Sequence, residues 1–116
     1  MPFDLAAQLT AWRHHLHETP ELSRQEEATA AFICARLSDM GIAHTAGIGG
    51  HGVVATLSRA GSNRAVGLRA DMDALPILEA TNAPYASKTP GIMHACGHDG
   101  HTASLLGAAL LLRDDP

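Results

Sequence analysis

The stretch Met-His-Ala-Cys-Gly-His-Asp-Gly-His-Thr, residues 93–102, gathers most of the metal-binding chemistry of the chain. It holds one of the two cysteines and three of the eight histidines. The longest apolar run of the protein, residues 103–112, follows at once. This order predicts a ligand-bearing loop on the N-terminus of a buried helix, which we place at residues 100–113.

The spacing of Cys96 and His98 favours a shared ion. Residues i and i+2 face the same side of an extended chain but diverge on a helix, so we expect an extended backbone across Gly97. Asp99 would then cap the helix, because its carboxylate can accept from the free N–H groups of the first turn. The positive end of the helix would favour the thiolate form of Cys96. A thiolate and an imidazole suit zinc and other borderline divalent ions.

Each of these residues also has a simpler interpretation. A lone cysteine such as Cys96 is usually a small core residue. His94 and His101 are as consistent with structural or supporting contacts as with ligation. The cluster as a whole is harder to explain without a metal than any of its members.

A pair of carboxylates, Asp71 and Asp73, stands at the end of a predicted strand over residues 65–70. Their i, i+2 spacing places them on one side of an extended chain. Either could accept a hydrogen bond from a metal-binding imidazole and fix its tautomer. The alternative is that both are solvated loop charges.

Three segments resemble motifs of the M20 family of metallopeptidases, in its amidohydrolase branch of hippurate hydrolases and N-acyl-amino-acid amidohydrolases. In chain order they are residues 16–22 (LHETPEL), 68–76 (LRADMDALP) and 93–101 (MHACGHDGH). The family has these motifs in the same order. The resemblance covers essentially the whole chain, although family members are much longer. It implies that residues 1–116 are the N-terminal segment of an aminoacylase-like (zinc-peptidase-like) catalytic domain, without the lid or dimerisation domain.

The resemblance also assigns roles. Cys96 and His98 match metal ligands, and Asp73 matches an aspartate that supports the metal site from behind. Asp71 stands where the wider family has a metal-binding histidine, whose place His98 would take. His94, Asp99 and His101 are expected to surround the ligands.

By resemblance, a complete site holds two divalent ions (Zn, Mn, Co or Ni) and hydrolyses the amide bond of small N-acyl amino acids such as hippurate. The remaining ligands and the general base of the family have no match in this sequence, so we expect an N-terminal fragment that is inactive alone. Glu79 is the nearest carboxylate that could replace the base. The alternative function is a non-enzymatic metal-binding or structural α/β module.

The hydrophobic pattern predicts an α/β fold with helices packed on a small sheet of three or more strands. Strands 52–59 and 65–70 would form an antiparallel hairpin around the turn at 60–63. Asp4 should cap the first helix, and a capping box at residues 23–26 should start the second. The predicted helices are residues 5–18, 25–40 and 100–113, and the predicted strands are 42–46, 52–59 and 65–70.

Charge and cysteine content limit the classes of binding partner and the cellular compartment that we expect for this chain. The net charge is −4, with eight Lys+Arg and no basic block, which argues against nucleic acid or an anionic membrane. Cys34 and Cys96 are too few and too distant for a disulfide framework, so we expect reduced thiols in the cytoplasm. The N-terminus lacks the pattern of a signal peptide, and the apolar run at 103–112 is shorter than the ~20 residues of a membrane span. An apolar helix in so short a chain suggests a homo-oligomer.

Three histidines, His14, His15 and His17, lie near the end of the first predicted helix. Partial positive charge there suits the negative pole of the helix. We interpret the three histidines as favourable partial charges at the end of the helix, with a metal site as the alternative.

Overall fold

The computed structural model describes residues 4–115, which form three helices and one two-stranded antiparallel sheet. The predicted α/β class with an antiparallel hairpin is confirmed. The predicted third strand is wrong, because residues 65–70 form no strand. The elements are α1 (Leu5–Glu18), α2 (Glu27–Asp39), β1 (Ala43–Ile48), β2 (Gly52–Thr56) and α3 (His98–Asp114).

Helix α1 has the predicted bounds. The Asp4 carboxylate accepts a hydrogen bond from the Ala7 amide at 3.1 Å, which caps the first turn. The helix ends two residues before Pro20, since a proline disfavours helical geometry in the residue before it. Trp12 and Leu16, one turn apart, are its buried apolar residues.

Helix α2 begins differently from the prediction. The capping box at residues 23–26 is wrong, because the helix starts at Glu27 and its N-cap residue, Glu26, makes no side-chain cap. The Glu21 carboxylate, which precedes the predicted box, instead accepts from the amides of Ala28 at 3.1 Å and Thr29 at 2.6 Å. The negative charge of Glu21 is also favourable there, because the N-terminus of a helix carries a partial positive charge.

The hairpin joins β1 to β2 and not β2 to residues 65–70, which corrects the predicted pairing. Gly49 and Gly50 connect the two strands with φ values of 63° and 114°, the left-handed region that glycine enters without a steric cost. Val66 and Leu68, the apolar residues of the predicted partner strand, are 87% and 58% exposed. Apolar alternation alone therefore did not predict strand pairing for residues 65–70.

The hydrophobic core lies between α1, α2 and α3. Gly107 lets α1 approach closely, since a Cβ there would stand 2.5 Å from a methyl group of Leu9. Helix α3 buries one face only: Leu111 and Leu112 are 59% and 47% exposed, so the prediction that it is buried on most sides is wrong. Within residues 4–115, no helix combines the length and apolarity needed to cross a bilayer. The buried cluster is Trp12, Leu37, Met40, Ile42, Ala103, Leu106 and Leu110.

Candidate metal centre

Helix α3 starts at His98, inside the motif, two residues earlier than predicted. Gly97 precedes it with φ 82° and ψ 16°, so the backbone between Cys96 and His98 turns and is not extended as predicted. The left-handed conformation explains why glycine suits position 97. Asp99 is not the N-cap, because it lies within the first turn, where its side chain faces the protein interior.

The segment that carries Asp71 and Asp73 is fixed by single bridges and not by a long strand. Ala74 pairs with Leu22, and Leu75 pairs with Met93 just ahead of the histidine- and cysteine-bearing loop. Leu75 and Met93 exchange amide–carbonyl hydrogen bonds of 2.9 and 3.0 Å. These bridges hold Asp73 beside the start of α3, although the strand end predicted there does not exist.

His98 is oriented by Asp73. The Nδ1 atom of His98 lies 2.8 Å from the Asp73 carboxylate and 2.9 Å from the Asp73 carbonyl oxygen. Both partners are acceptors, so Nδ1 donates to them, and Nε2 is the nitrogen that remains for a metal ion. A carboxylate that fixes the far nitrogen of an imidazole is the usual support of a metal-binding histidine.

The free nitrogen of His98 faces two further donors. His98 Nε2 lies 3.4 Å from one Asp71 oxygen, and His101 Nδ1 lies 2.7 Å from the other. One donor atom from each of these three residues falls within 4.8 Å of the other two. The hydrogen bond from His101 is the main reason that the pKa of Asp71 lies below its ordinary value, which keeps the carboxylate ionised. One carboxylate and two imidazoles suit a divalent transition metal, so this donor set fits such an ion.

Cys96 lies at the edge of this arrangement. Its side chain is exposed, and it is not among the three residues whose donors converge. Its predicted role as a ligand beside His98 stays a prediction, and the extended backbone on which we based it is wrong. Exposure leaves the thiol accessible to an ion bound next to His98.

His94 is 5% exposed. Neither of its ring nitrogens has a hydrogen-bond partner within the described part of the chain. Burial lowers the pKa of His94, although the nearby Asp99 carboxylate opposes that shift. Burial thus favours the neutral form of the His94 ring.

A buried chain of charges, which the sequence did not reveal, runs behind the donors. Asp99 Oδ2 accepts from His17 Nδ1 at 2.8 Å and from Arg13 Nε at 3.2 Å. The other ring nitrogen of His17, Nε2, lies 3.0 Å from Glu79. His17 lies in the last turn of α1, as predicted, but its side chain is buried and contacts these two carboxylates, which the interpretation as a helix-end charge did not include. The i, i+4 spacing of Arg13 and His17, beside the buried stripe of α1, was the available signal.

The Glu79 carboxylate should make the stability of the protein pH-dependent. Despite its burial, hydrogen bonds from Thr81, the Ser87 amide and His17 lower its pKa from 4.5 to about 2. A depressed carboxylate pKa stabilises the fold above the unfolded value of 4.5 and stops doing so as the pH falls through about 2.

Thr81→Val removes one of these hydrogen bonds. We expect the midpoint of acid unfolding, measured by circular dichroism, to rise by up to about one pH unit. Thr89→Val, an exposed threonine in the same loop, should leave the midpoint unchanged. Equal midpoints for the two variants would contradict the assignment.

Sequence comparison points to one family. The profile of Peptidase family M20/M25/M40 matches residues 67–115, which include Asp71, Asp73 and the whole histidine- and cysteine-bearing loop. A solved structure, the YXEP protein of Bacillus subtilis, described as a dinuclear metal-binding peptidase from the M20 family, superposes with a TM-score of 0.90. It is 44% identical, and the match covers 94% of this chain and 31% of that one. Residues 67–115 thus match the M20 family, and the chain is similar in structure to one of its solved members.

Amidohydrolases are among the relatives of this chain. The hippurate hydrolase of Campylobacter jejuni is 50% identical over 109 residues, which are 94% of this chain and 28% of the relative. The N-acyl-L-amino acid amidohydrolase of Geobacillus stearothermophilus is 50% identical over 115 residues, 97% of this chain and 31% of the relative. The chain thus spans under a third of the length of each of these relatives.

Proposed function

We propose that this chain contributes one wall of the divalent-metal centre of an M20 amidohydrolase that cleaves the amide bond of small N-acyl amino acids, hippurate-like ones included. The observation that carries the proposal is the orientation of His98. Its Nδ1 is held by Asp73 at 2.8 Å, and its Nε2 is turned toward Asp71 and His101. The compartment we propose is the cytoplasm, and the proposed assembly is a homo-oligomer.

In this proposal His98 binds the metal through Nε2, and Cys96 binds it as a thiolate from the exposed side. Asp73 keeps the His98 ring in the tautomer that ligation requires. Asp71, ionised and hydrogen-bonded to His101, adds negative charge where a cation would lie. When bound, a pair of divalent ions would polarise the amide carbonyl and lower the pKa of a water molecule. Zinc, manganese, cobalt and nickel are all compatible with this donor set.

Glu79 is not available as a general base. Its carboxylate is held by His17, Thr81 and the Ser87 amide. A base must reach the proton that it removes. The Glu79 carboxylate is already hydrogen-bonded, and it lies against the ring nitrogen of His17 that faces away from Asp99. We therefore expect the 116-residue chain to bind divalent metal weakly and to show no measurable hydrolysis. The base and further ligands would come from residues that this chain does not contain.

The test is an assay of hippurate and N-acetyl amino acids, with manganese, zinc or cobalt added, on two samples. One is the 116-residue chain, and the other is the protein in the longest form that its gene encodes. We expect turnover only in the longer form, with loss on adding a chelator. Cys96→Ala should remove most of that turnover, while Cys34→Ala, at the half-buried cysteine of α2, should keep it. Chelator-sensitive turnover by the 116-residue chain would contradict the proposal.

A second candidate, a metal-binding module without catalysis, has one observation in its favour. Asp71, His98 and His101 converge without help from any residue outside the chain. In that case the longer form would bind metal through the same donors and hydrolyse none of these substrates.

A further inference from the structure

The buried charges behind the donors connect three separate parts of the fold. Arg13 and His17 come from α1, Asp99 from the first turn of α3, and Glu79 from the loop between the sheet and α3. The side chains of Asp99, His17 and Glu79 are 1%, 4% and 4% exposed. A contact between such distant segments fixes their relative position.

Each ring nitrogen of His17 faces a buried carboxylate, Nδ1 that of Asp99 at 2.8 Å and Nε2 that of Glu79 at 3.0 Å. The pKa of Asp99 lies below its ordinary value, because hydrogen bonds from His17 and the Gly100 amide outweigh the effect of burial. Glu79 is ionised at neutral pH for the reasons given above. Ionised carboxylates only accept, and the His17 ring is the group that bridges these two.

Loss of His17 would take a shared hydrogen-bond partner from both buried carboxylates. Burying two carboxylates is costly unless each is paired and hydrogen-bonded. Arg13 compensates Asp99 from its half-exposed position, with a side chain that is 40% exposed, but it does not reach Glu79. Only His17 touches both carboxylates among the described residues of this buried chain.

Asp99 follows His98 directly in the first turn of α3. Neighbouring residues on a helix point about 100° apart, so holding Asp99 against α1 sets the direction in which His98 points. His98 then meets Asp73 at 2.8 Å on the other side. The first turn of α3 is thus held from two sides, by His17 through Asp99 and by Asp73.

We propose that His17 is a positioning residue of the candidate metal centre, which acts through Asp99 to aim the His98 ring at Asp71 and His101. The proposal rests on the function proposed above only in taking His98 as a metal ligand. It requires no contact between His17 and the metal.

The experiment compares His17→Gln with two controls in the purified chain. His15→Gln changes an exposed histidine of the same helix. Leu16→Ala destabilises the core next to His17, since Leu16 is 1% exposed, but leaves the contact with Asp99 in place. Circular dichroism reports folding, nitrogen NMR reports the tautomer of His98 in the metal-free chain, and competition with a chromophoric chelator gives the zinc affinity.

We expect His17→Gln to weaken zinc binding about tenfold, the low end of the effects seen for outer partners of metal ligands. The Nδ1 signal of His98 should move in the metal-free variant as well. Both controls should keep the wild-type signal and bind zinc within about twofold of the wild type, a margin far smaller than those outer-partner effects. Wild-type affinity and signal in folded His17→Gln, or an equal loss in Leu16→Ala, would overturn the proposal.

If His17→Gln does not fold, Arg13→Gln decides. Arg13 is the second side chain that holds Asp99, and its half-exposed position makes the variant easier to accommodate. A shifted His98 signal supports the proposal, and an unchanged signal overturns it. If wild-type protein bound no zinc while His17→Gln still moved the His98 signal, positioning would stand, and the proposed metal function would fail.

Discussion

Asp99→Ala should lower the free energy of unfolding by about 3–5 kcal/mol, the usual cost of removing one partner from a buried ion pair. Asp99 is 1% exposed and accepts from His17 at 2.8 Å and Arg13 at 3.2 Å. Without it, the buried His17 ring keeps only the Glu79 carboxylate as a hydrogen-bond partner. The free energy of unfolding falls because a buried charged group remains after its partner has been removed.

Urea unfolding of the purified chain, followed by circular dichroism, measures this loss. Asp39→Ala is the matched control, because Asp39 is also paired with an arginine, Arg36, but its side chain is 71% exposed. An exposed pair of this kind contributes only about 0–1 kcal/mol. Similar losses for Asp99→Ala and Asp39→Ala would show that the buried charges do not stabilise the fold as described.

Local signals in the sequence predicted local structure well. The bounds of α1 and its cap at Asp4 depend on residues within one turn of each other, and both were read directly from the chain. The capping box at residues 23–26 failed because a more distant carboxylate, Glu21, takes the amides at the start of α2. A sequence motif shows which cap is available but not which competitor reaches the same amides.

Pairing between distant segments was beyond the sequence pattern. Residues 65–70 alternate as a strand does, but period-two alternation gives no information on the partner. The motif at 93–101 identified His98, and its resemblance to the M20 family assigned Asp73 as support. Asp73 does contact the His98 ring at 2.8 Å, and its role as a support of a metal site stays a prediction. The contact between His17 and Asp99 spans 82 positions, and only the packing of α1 on α3 creates it.

His98→Ala should have the largest effect on metal binding by this chain, a loss of more than about 100-fold, beyond what outer partners of a ligand usually contribute. The Asp73 carboxylate orients the His98 ring through Nδ1, and the other ring nitrogen, Nε2, lies 3.4 Å from an Asp71 oxygen. Asp73→Ala leaves the ring in place but frees its tautomer and orientation. We expect it to cost about 10–100-fold, as removal of such a partner does elsewhere.

Competition titrations with zinc and cobalt on the purified chain measure both losses. His44→Ala is the control, since His44 also has its Nδ1 against a backbone carbonyl, that of Ile42 at 2.9 Å, but lies on β1 outside the donor cluster. It should bind metal as the wild type does. The order of the losses is the decisive result: His98→Ala must exceed Asp73→Ala, because Asp73 acts only through the ring that His98→Ala removes. If Asp73→Ala were the more damaging change, Asp73 itself would be a ligand, and the orientation of His98 would have to be explained in another way.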